Sequence, residues 1–276
     1  MLRSYIFGLI ILVGTHQDTS GAAKTIIEEN LCRPENNTFT VGEELTYKIY
    51  YNWNFIWLSA GEVVFKVEDM GDQYKFTARG KTYSSYDWFF KADDYFESIV
   101  EKSTLLPITF KRDIKENKYR YYEKIEFDRN GNQLKSWTGK SESTAKLTNH
   151  QFQGCMRDVL AMVYAVRVQD FESLQSGSNV PILLFLDNKN YSLNIKYMGK
   201  REEKRIHTMG KQKAYQLSPE TIAGTVFKEK DRMNIWASAD QNKIPLLIES
   251  PVSVGSVKAI LIKHKGLKYP FESERK

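Results

Sequence analysis

The chain has 276 residues, 41% of them hydrophobic and 27% charged, with a net charge of +6. This is the balance of a folded globular protein and excludes a disordered or low-complexity chain. The basic excess is modest and accompanies no recognisable nucleic-acid-binding motif, which argues against a nucleic-acid partner. Sixteen Tyr and 15 Phe fit pleated, half-buried surfaces and lean the expectation towards sheet.

In chain order, residues 1–23 carry one cation (Arg3), an apolar run from Tyr5 to Val13, and small residues ending in Gly21-Ala22-Ala23. That run is about half the length a membrane span needs, so a cleaved secretory signal is expected. No later segment reaches span length. The expected mature chain, 24–276, is a single β-rich domain without a transmembrane span, outside the cytoplasm. Cys32 and Cys155 both survive cleavage. In an oxidising compartment an isolated pair is expected as a disulfide, against the competing reading of two buried thiols.

Strand patterns follow. "EELTYKIYY" places Leu45, Tyr47, Ile49 and Tyr51 on one face, and "YRYYEKIEF" places Tyr119, Tyr121, Ile125 and Phe127 on one face. Such period-2 alternation belongs to sheets with one wet side. Asn130-Gly131 signals a two-residue hairpin, while Gly71-Asp72 and Lys115-Glu116-Asn117 are weaker turn signals.

Between these lies "SSYDWFFKADDYFESIV", residues 84–100. As one strand, its even positions form an apolar face (Tyr86, Trp88, Phe90, Ala92, Phe96, Val100) on which Asp94 is the only charge. A buried carboxylate is costly unless paired, and Arg79, Arg120 and Arg167 are candidate partners. At about 3.3 Å per residue the run is too long for a usual strand, so a bend or bulge near Ala92–Asp94 is expected. One extra residue there would flip the parity beyond it and turn Asp94 to solvent. A hydrolytic carboxylate pair within this stretch fails on distance. Asp93 and Glu97 share a face but lie about 13 Å apart, against about 5–9.5 Å in glycosidases. Asp94 and Glu97 point to opposite faces.

One segment has helical spacing. In "CMRDVLAMVYAVRVQDF", Met156, Val159, Leu160, Val163 and Val166 recur at the period of a helix packed by one face. A helix at 155–172 is expected, with Asp158 favourable for its dipole, joining β-rich halves at about 40–150 and 178–265. The basic run "KYMGKREEKRIHTMGKQK" (196–213) reads as a solvated hairpin with lysines guarding an edge. The halves also echo each other. "YFESIVEKSTLLPITF" and "NIWASADQNKIPLLIE" are each a strand, a polar turn, then a hydrophobic residue and a proline opening the next strand.

No zinc-ligand spacing, nucleophile elbow or Gly-rich phosphate loop occurs, so neither metal nor cofactor is expected. The fold expected is mainly β, an antiparallel open or closed barrel of two halves with one principal helix. The clusters "YYNWNFIWL" and "DWFF" make Trp57, Trp88 and Phe90 candidates to line its interior against an apolar ligand, with Asp94 and Arg167 as its polar candidates. The function expected is non-catalytic binding of a lipid, a glycan or another envelope component. The alternative is a glycan or lipid hydrolase using Asp94 with a distant carboxylate.

Five segments, in order, carry a resemblance: "VGEELTYKIYYNWNFIWLSAGEVVF", "YDWFFKADDYFES", "CMRDVLAMVYAVR", "GTVFK" and "NIWASADQNKIPLLIESPVSVGSVKA". Together they resemble the DUF3108 family of exported bacterial proteins, frequent in Bacteroidetes, over residues 40–263. The resemblance implies export, a Gram-negative (periplasmic) envelope location and a β-rich fold. It implies no catalytic residues, because the family has no defined activity. The turn-and-proline echo is also similar to envelope lipid-carrier folds, whose half-barrels close over a helix.

Overall fold

The computed structural model describes residue 32 and residues 34–53, 56–86, 90–220, 233–251 and 255–273. The expected signal segment lies outside these. Among the described residues, fourteen strands form one antiparallel sheet. The first meander comprises β1 (Glu44–Trp53), β2 (Ile56–Met70), β3 (Gln73–Thr82), β4 (Asp93–Glu101), β5 (Pro107–Glu116), β6 (Tyr119–Asp128), β7 (Gln133–Gly139) and β8 (Lys146–Gln151). A helix, α1 (Val159–Arg167), follows. The second meander comprises β9 (Asn179–Leu186), β10 (Lys189–Ile206), β11 (Gly210–Pro219), β12 (Asn234–Ser238), β13 (Pro245–Pro251) and β14 (Ser256–Lys265).

Pairing of β1 with β14 joins the two meanders, leaving β8 and β9 as the edges of an open sheet. These edges come back towards each other. Asn190 Nδ2 donates to Gln151 O at 2.7 Å, and the His150 and Phe185 rings lie 5.1 Å apart. The sheet is therefore curled and barrel-like without being closed. Extended backbone ahead of the helix covers the β9 edge. Arg157 N donates to Leu183 O at 3.0 Å, and Phe185 N to Arg157 O at 2.9 Å. An edge left bare would be a template for unwanted pairing.

That contact explains why the helix starts later than 155, and it also ends before 172, at Arg167. Arg157 is bridged to Leu184 of β9, so helical geometry begins after Asp158. Its carboxylate caps the helix, accepting from Leu160 N (2.9 Å) and Ala161 N (3.0 Å). Ser98 Oγ of β4 donates to the other carboxylate oxygen at 2.6 Å and so ties the helix start to the first meander. Nor is the helix packed by one face alone. Val159, Leu160, Ala161, Met162, Tyr164, Ala165 and Arg167 are all buried, as in a helix enclosed on most sides. Tyr164 stacks on Phe76 of β3 with ring centroids 3.8 Å apart.

Cys32 and Cys155 are disulfide-bonded, with Cα atoms 5.1 Å apart and a sequence separation of 123. Closing a loop of this size stabilises by about 4–5 kcal/mol in the chain-entropy model. The β6–β7 turn differs from the two-residue hairpin expected at Asn130-Gly131. Asp128 pairs with Gln133, and the Asp128 carboxylate accepts the N–H groups of Asn130 and Gly131, each at 3.1 Å. An aspartate that binds the backbone two and three residues on builds a longer turn. The tight two-residue turn falls at Asn117-Lys118, where Asn117 takes φ +45°.

The sequence echo is also structural. In the β4–β5 hairpin Leu105 has φ +52°, and in the β12–β13 hairpin Lys243 has φ +47°. Each stands two residues before the proline that opens the next strand. In each, a backbone bond closes the turn: Glu101 N to Leu106 O (3.1 Å) and Ser238 N to Ile244 O (2.8 Å). A register shift precedes both, at Ile99/Val100 and at Trp236/Ala237.

Candidate functional site

The segment 84–100 is not one strand. A 3-10 turn spans Ser84–Tyr86, Asp87–Phe89 lie outside the described residues, and β4 begins at Asp93. The irregularity thus precedes Asp94, and the even positions Asp94, Phe96, Ser98 and Val100 all face inward and are buried.

Asp94 has no exposed surface, yet none of the three candidate arginines is its partner. Arg79 pairs with Asp93 of the outer face (Nε–Oδ1 2.9 Å). Arg120 donates to the carbonyls of Asn117 and Tyr119. Arg167 pairs with Glu43. Asp94 instead accepts the Lys115 amide at 2.9 Å, and its neighbour is the carboxyl group of Glu116, which is 2% exposed. Burial first, and the neighbouring Glu116 second, push the Asp94 carboxyl up to about 8. A carboxyl group buried beside another is disfavoured as the anion, so Asp94 keeps its proton at neutral pH.

Beside it, Arg112 Nε meets Glu123 Oε2 at 2.7 Å, opposite it across the β5–β6 ladder. Arg112 also binds the Tyr121 hydroxyl (3.2 Å) and Asp187 of the β9–β10 turn. Asp187 thereby ties the second meander to the interior of the first. A carboxyl group that keeps its proton at neutral pH has the chemistry of an acid catalyst. This one has neither solvent access nor a cleft: neither carboxyl lines any of the cavities described below.

Open space against the helix lies elsewhere, towards β1, β2 and β10–β13. A cavity of about 80 Å³ is enclosed by α1, β1, β2 and β10–β13, with Tyr47, Phe65, Met162, Phe171, Leu217 and Ile248 among its walls. Two cations reach it, Arg167 and Lys243. Arg167 is matched by Glu43 in a buried two-point pair, 2.6 and 2.8 Å, and donates also to Asn242 O. Lys243 Nζ donates to Gln169 O at 2.7 Å and lies 5.9 Å from the Phe171 ring centre. Burial lowers its pKa, against the fields of Asp170 and Glu172. A second cavity, about 250 Å³, lies between α1 and β9–β10. Met162 and Val166 wall both.

Of the residues singled out from sequence, only Arg167 lines the apolar cavity. Trp57 points outward, 41% exposed, beneath Lys258 (4.5 Å to the ring centre). Phe90 is buried in the core. Trp88 lies outside the described residues. Sequence reasoning did not single out Glu43, Glu116 or Lys243. For Lys243 a signal was present: it occupies the position of Leu105 in the echoed hairpin. Among the described residues no group of His, Cys, Asp and Glu has the arrangement of a metal site, and no helix is long and apolar enough to cross a membrane.

Fold and interior define a barrel-like antiparallel β protein curled around one helix, with an apolar cavity beneath that helix. The chain belongs to the DUF3108 family, described as proteins of unknown function, whose model matches residues 46–262. Among solved structures it is similar to a β-barrel-like protein of the DUF1849 domain of unknown function from Brucella abortus. The TM-score is 0.58 and the identity 11%, covering 83% of this chain and 98% of that one. A putative exported protein with a YmcC-like fold from Bacteroides fragilis aligns with a TM-score of 0.35 at 8% identity, covering 85% of this chain and 100% of that one. No curated protein matches the chain.

Proposed function

We propose that this is a non-catalytic protein of the bacterial envelope, exported through its N-terminal signal, that holds an apolar or amphipathic ligand beneath α1. The observation that carries this reading is the cavity between the helix and β10–β13, whose walls are almost entirely apolar apart from two cations. Apolar walls with a few placed polar groups are the usual make-up of a small-molecule site. Its volume, about 80 Å³, is roughly half that of an engineered cavity that admits benzene, so it receives a short apolar group as it stands. The larger cavity across Met162 and Val166 supplies room beyond it. Lipid suits such walls better than glycan.

The hydrolase reading has one observation in its favour, since Asp94 does meet a second carboxyl group in Glu116. Both are buried away from any described cavity, so a substrate has no route to them. The test is native mass spectrometry of the protein purified from the periplasm of its host. The expected result is a bound small apolar molecule, diminished in Ala237→Leu, which adds bulk to the cavity wall. A uniformly ligand-free mass, or recovery of the chain from the cytoplasm, would count against the proposal.

A further inference from the structure

The two hairpins that echo each other place different side chains at one position, and that difference points to the ligand's head group. In the first meander the left-handed residue before the proline is Leu105, which has no exposed surface and fills its own interior. In the second it is Lys243, half-buried at the wall of the cavity. A lysine among apolar walls is desolvated, and such a group is held at a cost unless an anion meets it.

The other charges around it have partners of their own, while Asp170 and Glu172 act on it only through their fields. Arg167 is neutralised by Glu43. Glu172 is bound by Lys200 (2.9 Å) and by the Tyr215 hydroxyl (2.5 Å). Asp170 accepts the Glu172 amide at 3.2 Å. Lys243 itself donates to a neutral carbonyl, Gln169 O, and among the described residues no carboxylate forms an ion pair with it. An ammonium has three donors, so hydrogen-bonding capacity towards an anion remains.

We propose that the ligand is a single-chain anionic amphiphile, its acid head on Lys243 and its apolar chain in the cavity beneath α1. The inference rests on the reading of that cavity as a binding site. Met162, a flexible side chain that repacks readily, forms part of the partition through which a longer chain extends into the second cavity.

Isothermal titration of the mature chain with octanoate, octyl phosphate, octanol and octyltrimethylammonium tests it, at one ionic strength. An ion-assisted hydrogen bond exceeds a neutral one, so octanoate or octyl phosphate is expected to bind about tenfold or more tighter than octanol. The better of the two acids identifies a carboxylate or a phosphoryl head. Lys243→Met should bring both acids to the level of octanol and leave octanol unchanged. Lys243→Gln, which keeps a donor for Gln169 O, should do the same. Ala237→Leu should weaken all chains together. Equal binding of octanol and the acids by the unsubstituted protein overturns the head-group assignment while sparing the cavity. Absence of binding by every probe overturns the cavity reading itself.

Discussion

The buried charges on β4–β6 of the first meander face one another, and none of them lines the cavity beneath α1. Glu116 neighbours Asp94, Arg112 pairs with Glu123 and Asp187, and Leu105 is buried in its turn. The second meander, with the same hairpin device, supplies most of the wall of a void, where Leu217, Ile235 and Ile248 meet Tyr47 and Phe65 of β1 and β2 and which Lys243 reaches. The contrast separates buried charge from functional charge. A charged group whose partners are all protein is part of the scaffold, whereas one beside empty apolar volume is placed to meet something else.

The largest effect should come from breaking the pair that walls off the cavity. Arg167→Ala leaves Glu43, fully buried, without its cation, and losing one partner of such a pair costs about 3–5 kcal/mol. Urea denaturation should show this loss, and a double Glu43→Met, Arg167→Met variant should lose much less. Next comes the equivalent pair of turn residues. Leu105→Ala opens a cavity in a closed interior and should cost about 2–5 kcal/mol. Lys243→Ala removes a side chain that already borders space and should cost less than about 1 kcal/mol by comparison with other partly exposed sites. Similar losses at the two positions would break the contrast between the halves.

A subtler effect belongs to Asp94. Its folded-state pKa, about 8, lies above the ordinary carboxyl value, so the native state binds more protons than the unfolded chain in between. Its contribution to stability is therefore fully present below about pH 4 and lost as pH rises through about 8. Asp94→Asn keeps a neutral hydrogen-bonding group in place. The stability difference between variant and wild type should move in favour of the variant from pH 5 to pH 9, measured by thermal melts at each pH. A difference that stays flat, or that moves the other way, would show that Asp94 does not keep its proton at neutral pH.

How much of this was legible in the sequence depends on how local the cause is. The inward face of β1 and the parity of Asp94, Phe96, Ser98 and Val100 follow from alternation within one strand, and both stand. The middle of the helix follows from its own spacing. Its start does not, because Arg157 is captured by β9, far along the chain. The partner of Asp94 was hidden by one residue. The shift between Ile99 and Val100 moves the β4–β5 register by one, and only that moves Glu116 onto the same face as Asp94, diagonally across the ladder. Without the shift, Asp94 would oppose Asp113. Lys243 was visible as a departure from the echoed leucine, but its meaning depends on a void, and voids arise from how all the side chains pack together.

The claim that the cavity beneath α1 receives a ligand is tested most directly by the methionine methyl groups. Met162 and Met233 line the cavity beneath α1, Met70 is exposed on the first meander, and Met209 sits at the β10–β11 turn. In protein labelled with carbon-13 at its methionine methyls, titration with octanoate should shift Met162 and Met233 and leave Met70 and Met209 in place. Shifts at Met70 or Met209 with Met162 and Met233 unmoved, or no shift at saturating octanoate, would contradict it.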